Sequence, residues 1–245
     1  MASAVEAHWN DVYRRSDCRR SITDEDRKRL EFAVCFFDGV REKRLLDIGC
    51  GLGLASRFFA ELGADVTAID VSQVAIDELA VTAKNHGLAQ LHPIALDAMA
   101  VPSLGQFDLI YGAMVLHHVE PFEDFVECLH RALKPGGRAF FFENNGESNL
   151  LMWCRKHLVG RFSIPQQSDP EEAPLRREEI DMLREHFAVS ICYPELIFFR
   201  MISWYVLRGR ALSLLESLDD IIYRLGWLNR HSYLQYIMLE RAVDS

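Results

Sequence analysis

Residues 44–70 constrain the fold of this chain more than any other stretch. They contain an apolar run, a glycine-rich turn, a helical repeat and a second apolar run that ends in a carboxylate. The first run, residues 45–48, is typical of a parallel strand buried on both faces. Apolar residues then recur at helical spacing up to a glycine that favours a helix C-cap, at Leu54, Phe58, Leu62 and Gly63. The stretch predicts one right-handed strand–helix–strand unit.

The glycine turn and the carboxylate that follows it predict a nucleoside site. Gly49, Gly51 and Gly53 stand at alternate positions, where glycine permits a sharp bend and close approach of a ligand. Asp70 follows Gly49 by 21 positions, close to the offset at which strand-end carboxylates meet ribose hydroxyls. The spacing G-x-G-x-G differs from the G-x-G-x-x-G of dinucleotide binders, and the negative charge of Asp47 suits a ligand amine better than a pyrophosphate. A glycine-rich loop in another α/β fold is the alternative interpretation.

The segment Asp-Ile-Gly-Cys-Gly-Leu-Gly at residues 47–53 resembles the first motif of the class I S-adenosylmethionine-dependent methyltransferases. The Leu-His-His phrase within residues 107–119 and the Lys-Pro-Gly-Gly phrase at residues 134–137 are similar to their small-molecule branch, which includes ubiquinone-type O-methyltransferases. The resemblance covers residues 40–145. It implies S-adenosylmethionine as cofactor and a Rossmann-like, doubly wound α/β fold, in which a seven-stranded, mostly parallel sheet has an antiparallel last strand.

The resemblance also implies which residues contact the cofactor. Asp47 and Gly49 would hold the methionine amine, and Gly51 would let the cofactor approach the backbone. Asp70 would hold the ribose and Asp97 the adenine amine, unless Asp97 is a solvated loop residue. The cofactor-binding set also contains Val71, Ala98 and Ala113.

His117, His118 and Glu143 are the candidate catalytic residues. An imidazole titrates near neutral pH, so either histidine could take a proton from a substrate hydroxyl or amine; a structural role is the alternative for each. No third ligand is positioned to make the pair a metal site. Glu143 and Asn144 end a fifth strand predicted over residues 138–144, where ligands bind in open α/β sheets, and they are candidates to orient a polar substrate or to cap a loop.

The chain of 245 residues is long enough for one methyltransferase domain, which we divide by pattern. We predict that residues 1–40 form a helical lid and that residues 41–145 form the cofactor-binding core. Residues 146–174 and 194–231 are predicted to be two insertions that form a helical cap. Trp9 and Tyr13 in the lid and Arg155 in the first insertion are predicted to contact substrate, with plain packing as the alternative. Because both insertions are apolar and partly basic, the predicted acceptor is a small hydrophobic or amphiphilic molecule, with Arg155 available to an anionic group.

Composition narrows the partners. A net charge of −9 disfavours a nucleic-acid surface, and six cysteines without a C-x-x-C pair indicate reduced thiols in the cytoplasm. The polar N-terminus predicts no signal peptide, and the apolar residues 196–207 are too few to span a bilayer. Contact with a membrane surface through residues 198–205, core packing and dimer contact stay open for these insertions, as does oligomeric state.

Three other functions remain open at this point. A nicotinamide-dependent oxidoreductase would use the same layout, although the glycine spacing and Asp97 disfavour it. A non-catalytic subunit that binds S-adenosylmethionine would keep the cofactor motifs without methyl transfer. A protein or RNA methyltransferase is conceivable, but the Asn-Pro-Pro-Tyr type of motif is missing after the fourth strand.

Overall fold

The structure is a computed structural model that describes residues 4–15, 21–146, 174–195, 199–200, 203, 207, 209–226 and 229–243. In these ranges the helices are α1 Ala4–Arg15, α2 Asp24–Phe36, α3 Leu54–Glu61, α4 Gln73–Asn85, α5 Phe122–Ala132, α6 Arg177–His186 and α7 Leu212–Tyr223. The strands are β1 Arg44–Ile48, β2 Asp65–Asp70, β3 Leu91–Ala95, β4 Phe107–Ala113, β5 Leu133–Asn144, β6 Ala188–Cys192 and β7 Leu234–Glu240. Short 3₁₀ turns cover Ala98–Leu104, Leu116–His118 and Asn229–His231.

The seven strands form one sheet in the order β3-β2-β1-β4-β5-β7-β6. Strands β1 to β5 pair in parallel, whereas β7 lies antiparallel between β5 and β6. The predicted doubly wound fold and its antiparallel last strand are confirmed. Strands β2 and β3 lie on one side of β1, and β4 lies on the other side, so the strand order reverses between β1 and β4. A ligand crevice is therefore expected at the carboxyl ends of these two strands.

Helices cover both faces of the sheet because its central strands are apolar on both sides. One core cluster contains side chains of α2, α3 and α4, and the other contains side chains of α5 and α6. Leu45 belongs to the first cluster and Leu46 to the second, as the alternation of side chains along a buried strand requires. Helix α1 differs from the others in that none of its residues is buried.

Local signals explain where several helices begin. Thr23 caps α2. Its side chain accepts a hydrogen bond from the Asp26 amide, and the Asp26 carboxylate accepts one from the Thr23 amide. Ser72 caps α4 by accepting from the Ala75 amide. Both helices point their N-termini toward the carboxyl edge of the sheet.

Residues 134–137 fall within the bounds of β5 but leave the ladder with β4, because the pairing passes from Leu133 directly to Arg138. Gly136 has φ +74°, as expected for the glycine of a tight turn at the Lys-Pro-Gly-Gly phrase. Leu62, the last apolar residue at the predicted helical spacing, follows the end of α3 at Glu61 and is 40% exposed. Most of the first insertion, including Arg155, lies outside the described residues. In the second insertion the structure describes α7 and the turn Asn229–His231.

Candidate functional site

Two adjoining cavities open at the carboxyl edge of the sheet. The first has a volume of about 510 Å³ and lies beside the ends of β1, β2 and β4; the second, of about 660 Å³, lies between α2 and the glycine turn. Tyr13, Gly49 and Ala113 line both cavities. The site is therefore one elongated crevice, narrowed at its middle by the Tyr13 side chain.

The glycine turn supplies the floor between the cavities. Gly49 and Gly51 adopt φ angles of +66° and +52°, which side chains with a Cβ rarely adopt. A Cβ on Gly49 would lie 2.7 Å from the Cγ2 atom of Val115, and a Cβ on Gly51 would lie 2.8 Å from the hydroxyl of Tyr13. The turn therefore needs glycine both for its backbone and for the groups that approach it.

Asp70 forms the wall where the first cavity meets the turn. It is 7% exposed, and its oxygens accept hydrogen bonds from the amides of Gly51 and Ser72, each at 2.9 Å. The hydroxyl of Tyr13 also donates to it. Burial raises the pKa of the Asp70 carboxyl above its usual range. The carboxylate is held in place by amides and keeps one edge toward the cavity, where a pair of ligand hydroxyls could donate to it.

The far end of the first cavity is an apolar slot with a carboxylate at its mouth. Val71, Ala98 and Met99 line the slot. Asp97 is exposed and uses its Oδ1 atom to cap the following 3₁₀ turn, accepting from the Met99 amide at 2.8 Å. The capping role and the position at the cavity are compatible, since a carboxylate has a second oxygen. A flat, apolar ring with a polar amine at its edge matches this shape.

The second cavity carries opposite charges on its walls. Asp47 is 2% exposed and accepts a 2.5 Å hydrogen bond from the Ser56 hydroxyl. Burial raises the pKa of Asp47 to about 7. Across the cavity, Arg29 of α2 donates to Asp26 at 2.7 Å and to the hydroxyl of Tyr111 at 3.2 Å. An acid and a guanidinium lining one cavity are suited to the two charges of an amino acid.

Arg29 and its partner Asp26 were not predicted from the sequence as residues of the site. Their i, i+3 spacing on a capped helix was the available signal, but such pairs usually lie in solvent. Here burial of the pair follows from the packing of α2 on the sheet, where the Arg29 guanidinium also lies 4.6 Å from the centroid of the Phe142 ring. A sequence pattern could not show which face of α2 meets the cavity.

Helix α1 lies over the crevice and is attached there by ring contacts and hydrogen bonds. Trp9 stacks on Tyr13 with ring centroids 5.9 Å apart and meets His118 edge-on at 5.3 Å. Asn10, whose role was not predicted from the sequence, accepts hydrogen bonds from the Ser72 hydroxyl and the Val74 amide, which fixes α1 to the start of α4. Trp9 and Tyr13 both line the first cavity, where they had been predicted to meet the substrate.

The two histidines lie in different surroundings. His118 lines the first cavity, and partial desolvation there, reinforced by the neighbouring His117 and His8, lowers its pKa to about 4. The His117 side chain is only 4% exposed, and its Nδ1 atom lies 2.6 Å from Oε2 of Glu143. The structure thus places one histidine at the cavity and buries the other.

Glu143 and Asn144 do not face the cavities as the strand-end argument had suggested. Glu143 is fully buried and uses its carboxylate on the amides of Val115 and Leu116 and on His117, because its side chain points into the core face of β5. Asn144 pairs with Leu234 of β7, and among the described residues it lines neither cavity.

Among the residues that the structure describes, no three His, Cys, Asp or Glu side chains gather in an arrangement that could hold a metal ion. None of their helices has both the length and the apolarity needed to cross a bilayer.

Comparison with known proteins adds sequence and fold relatives. Residues 46–141 match the family model described as a methyltransferase domain. The chain is 33% identical over 138 residues to the ubiquinone biosynthesis O-methyltransferase of Idiomarina loihiensis, covering 54% of this chain and 56% of that protein. It is 31% identical over 157 residues to the corresponding protein of Bordetella avium, covering 62% of each. The matches thus span less than two thirds of these relatives.

Solved structures share the fold over nearly the whole chain. The [4+2]-cyclase SpnF aligns with a TM-score of 0.67 at 17% identity and covers 100% of this chain and 97% of its own. The N-methyltransferase NodS from Bradyrhizobium japonicum, in complex with S-adenosyl-L-homocysteine, aligns with a TM-score of 0.59 at 15% identity and covers 95% and 98%. At these identities the likeness shows the fold alone.

Proposed function

We propose, on the premise that this chain belongs to the class I S-adenosylmethionine-dependent methyltransferases, that it moves a methyl group from S-adenosylmethionine to a hydroxyl of a small apolar or amphiphilic acceptor. The observation that carries the proposal is the pair of adjoining cavities. One has a carboxylate-edged apolar slot, and the other has opposite charges on its walls. This order of features along one crevice matches an adenosine joined to an amino acid.

The adenosine half fits the first cavity. Asp70 would accept from the two ribose hydroxyls, in place of the hydroxyl that Tyr13 now donates. Val71, Ala98 and Met99 would enclose the ring, and Asp97 would accept from its exocyclic amine. A side chain at Gly51 would fill the passage beneath Tyr13, which explains why a glycine occupies that position.

The amino-acid half fits the second cavity. The ammonium group would lie near Asp47 and the carboxylate near Arg29, which is already held in a fixed orientation by Asp26 and Tyr111. A guanidinium that is oriented before the ligand arrives loses little conformational freedom on binding. The charges also discriminate, because a dinucleotide would place phosphate against Asp47.

When bound, S-adenosylmethionine supplies an electrophilic methyl group on a sulfonium. The chain contributes alignment and exclusion of water, which are the main needs of a direct displacement. His118, held neutral at physiological pH by its lowered pKa, accepts a hydrogen bond from the acceptor hydroxyl. It is a weak base, but the hydroxyl becomes strongly acidic as its oxygen gains a bond, so the proton moves late. Trp9 limits the orientation of the His118 ring.

Two observations support the class of acceptor. The first cavity presents the apolar side chains of Val5, Met114 and Val119 beside His118, which suits a hydrophobic molecule with one reactive polar group. The similar proteins of Idiomarina loihiensis and Bordetella avium are named for O-methylation in ubiquinone biosynthesis, so a hydroxylated aromatic ring with an apolar substituent is the acceptor to try first.

Titration calorimetry with S-adenosylhomocysteine, and with NAD as a control, tests the cofactor. We expect a dissociation constant in the micromolar range, about −8 kcal/mol, and no heat from NAD. Asp70→Asn should weaken binding by at least about tenfold, because a hydrogen bond to a charged group contributes about 1.5–3 kcal/mol. Asp65→Asn, an exposed change at the opposite end of β2, is the matched control.

Transfer of labelled methyl groups tests the activity. Incorporation into hydroxylated aromatic acceptors, lost on replacing His118 by Ala, is the expected result. Cofactor binding without incorporation into any such acceptor would instead favour a non-catalytic binding subunit. NAD binding with no affinity for S-adenosylhomocysteine would refute the proposal outright.

A further inference from the structure

A fully buried carboxylate organises the turn that carries the cavity histidine. Glu143 is 0% exposed, and three consecutive residues bind it: the amides of Val115 and Leu116 donate to Oε1 at 2.8 Å and 2.7 Å, and His117 Nδ1 lies 2.6 Å from Oε2. A buried charge is expensive and persists only with such partners. Since an apolar side chain would stabilise the core at lower cost, the carboxylate calls for a functional explanation.

The contacts of Glu143 determine the protonation pattern of His117. An ionised carboxylate accepts hydrogen bonds and donates none, and Oε1 already accepts two amide protons. With Glu143 ionised, the short contact from His117 to Oε2 is a hydrogen bond that the Nδ1 proton donates. The His117 ring lies with its centroid 4.0 Å from that of His118, so its orientation limits where the His118 ring can lie.

The turn of residues 114–118 has a strained backbone and packs against the glycine turn. Met114 adopts φ +54°, an uncommon conformation for a residue other than glycine, which persists only when neighbouring contacts hold it. Val115, next in the chain, packs so closely that a Cβ on Gly49 or on Gly112 would lie within 2.8 Å of its methyl groups. A shift of the turn would be felt at His118 and at Gly49 together.

We propose that Glu143 is the positioning residue of this site: through Oε1 it fixes the path of the 114–118 turn, and through Oε2 it fixes the tautomer and ring orientation of His117, so that His118 is presented to the first cavity. This role goes with the proposed function, since it takes His118 as the group that meets the acceptor. Among the described residues that line the two cavities, Glu143 is absent, so it acts only through its neighbours.

Glu143→Gln separates the two contacts. The amide oxygen can still accept from the Val115 and Leu116 amides, but the NH₂ group faces the Nδ1–H of His117 donor to donor. We expect His117 to change to the Nε2–H tautomer, visible in its ¹⁵N NMR shifts. At saturating substrate the rate should fall by at least about tenfold, while affinity for S-adenosylhomocysteine changes less than about threefold, because misplacement affects the reacting geometry more than binding. Glu123→Gln, an exposed charge removal on α5, is the control and should change neither.

The experiment distinguishes this role from simple stabilisation and from failure of the proposed function. Combining Glu143→Gln with His117→Gln should cost little more than either change alone, since both break the same contact. Independent, multiplying losses would overturn the proposal. If wild-type protein transfers no methyl group, the proposed function fails, but the tautomer is still measurable. An Nε2–H tautomer of His117 in the wild-type protein would overturn the positioning role even if the Gln variant did not fold.

Discussion

The buried carboxyl of Asp47 predicts that cofactor binding releases a proton. Its pKa is raised to about 7 by burial, with a smaller contribution from the charge of Asp70, against the opposing hydrogen bond from Ser56. In the ligand-free protein at pH 6, about nine tenths of the molecules therefore carry a proton on Asp47. If the cofactor ammonium group lies beside this carboxyl, it favours the ionised form, and the proton must leave on binding.

The magnitude follows from the pKa. Release of about 0.9 proton per bound ligand is expected at pH 6, falling to about 0.5 at pH 7. Because binding must work against this protonation, the dissociation constant should be about fivefold higher at pH 6 than at pH 7, or about 1 kcal/mol. The affinity falls from pH 7 to pH 6 because the pKa of Asp47 is raised. An exposed aspartate would be ionised throughout this range and would not make the dissociation constant depend on pH.

Titration calorimetry with S-adenosylhomocysteine in two buffers of different ionisation enthalpy measures the proton count directly. Asp47→Asn removes the titrating group, and its complex should form with about 0.9 fewer protons released at pH 6, by the same pKa. Equal proton release from the wild-type protein and the Asn variant would refute the placement of the ammonium group. It would leave the Asp70 assignment untouched, because that assignment concerns the other cavity.

Three further substitutions test the architecture. In urea denaturation, Gly53→Ala should lower the free energy of unfolding by about 1–3 kcal/mol more than Gly39→Ala. Both glycines have positive φ, but only at Gly53 would the new Cβ lie 2.1 Å from Leu79. Equal losses of stability would contradict this steric argument. Arg29→Lys keeps the charge but loses the planar fork, so calorimetry should show S-adenosylhomocysteine binding weakened by about three- to tenfold, and unchanged affinity would exclude a carboxylate contact. Thr23→Ala should cost about 1 kcal/mol in thermal unfolding, whereas Thr23→Ser should cost much less if the cap of α2 is the reason.

The part of the site that lies within residues 44–70 was predictable from the sequence. The positive φ at Gly49 and Gly51 and the strand-end position of Asp70 all lie within one strand–helix–strand unit, whose geometry is set by short-range rules. Arg29 and Asn10 were not predictable because their roles depend on how α1 and α2 pack on elements distant in the chain. Asn10 meets Ser72 across 62 positions, and Arg29 meets Tyr111 across 82.

Glu143 shows where a correct rule was applied to the wrong face of a strand. Ligands do bind at the carboxyl ends of parallel strands, and Glu143 lies near the end of β5. Side chains alternate, however, and Glu143 shares its face with Phe141, which belongs to the cluster of α5 and α6. Phe142, on the opposite face, is the residue that meets Arg29. The alternation was readable from the sequence, but the face that borders the cavity was not.

The sparse attachment of α1 separates the opening of the crevice from the stability of the fold. This helix buries none of its own residues and is tied down by Asn10, by the hydroxyl of Tyr13 and by the ring of Trp9. Its amide protons should therefore exchange with solvent through local opening, at a much lower free energy than those of β1 or β4. Ligand entry and exit then depend on a few polar contacts that can be weakened one at a time, while the melting temperature, set by the two core clusters, stays where it is.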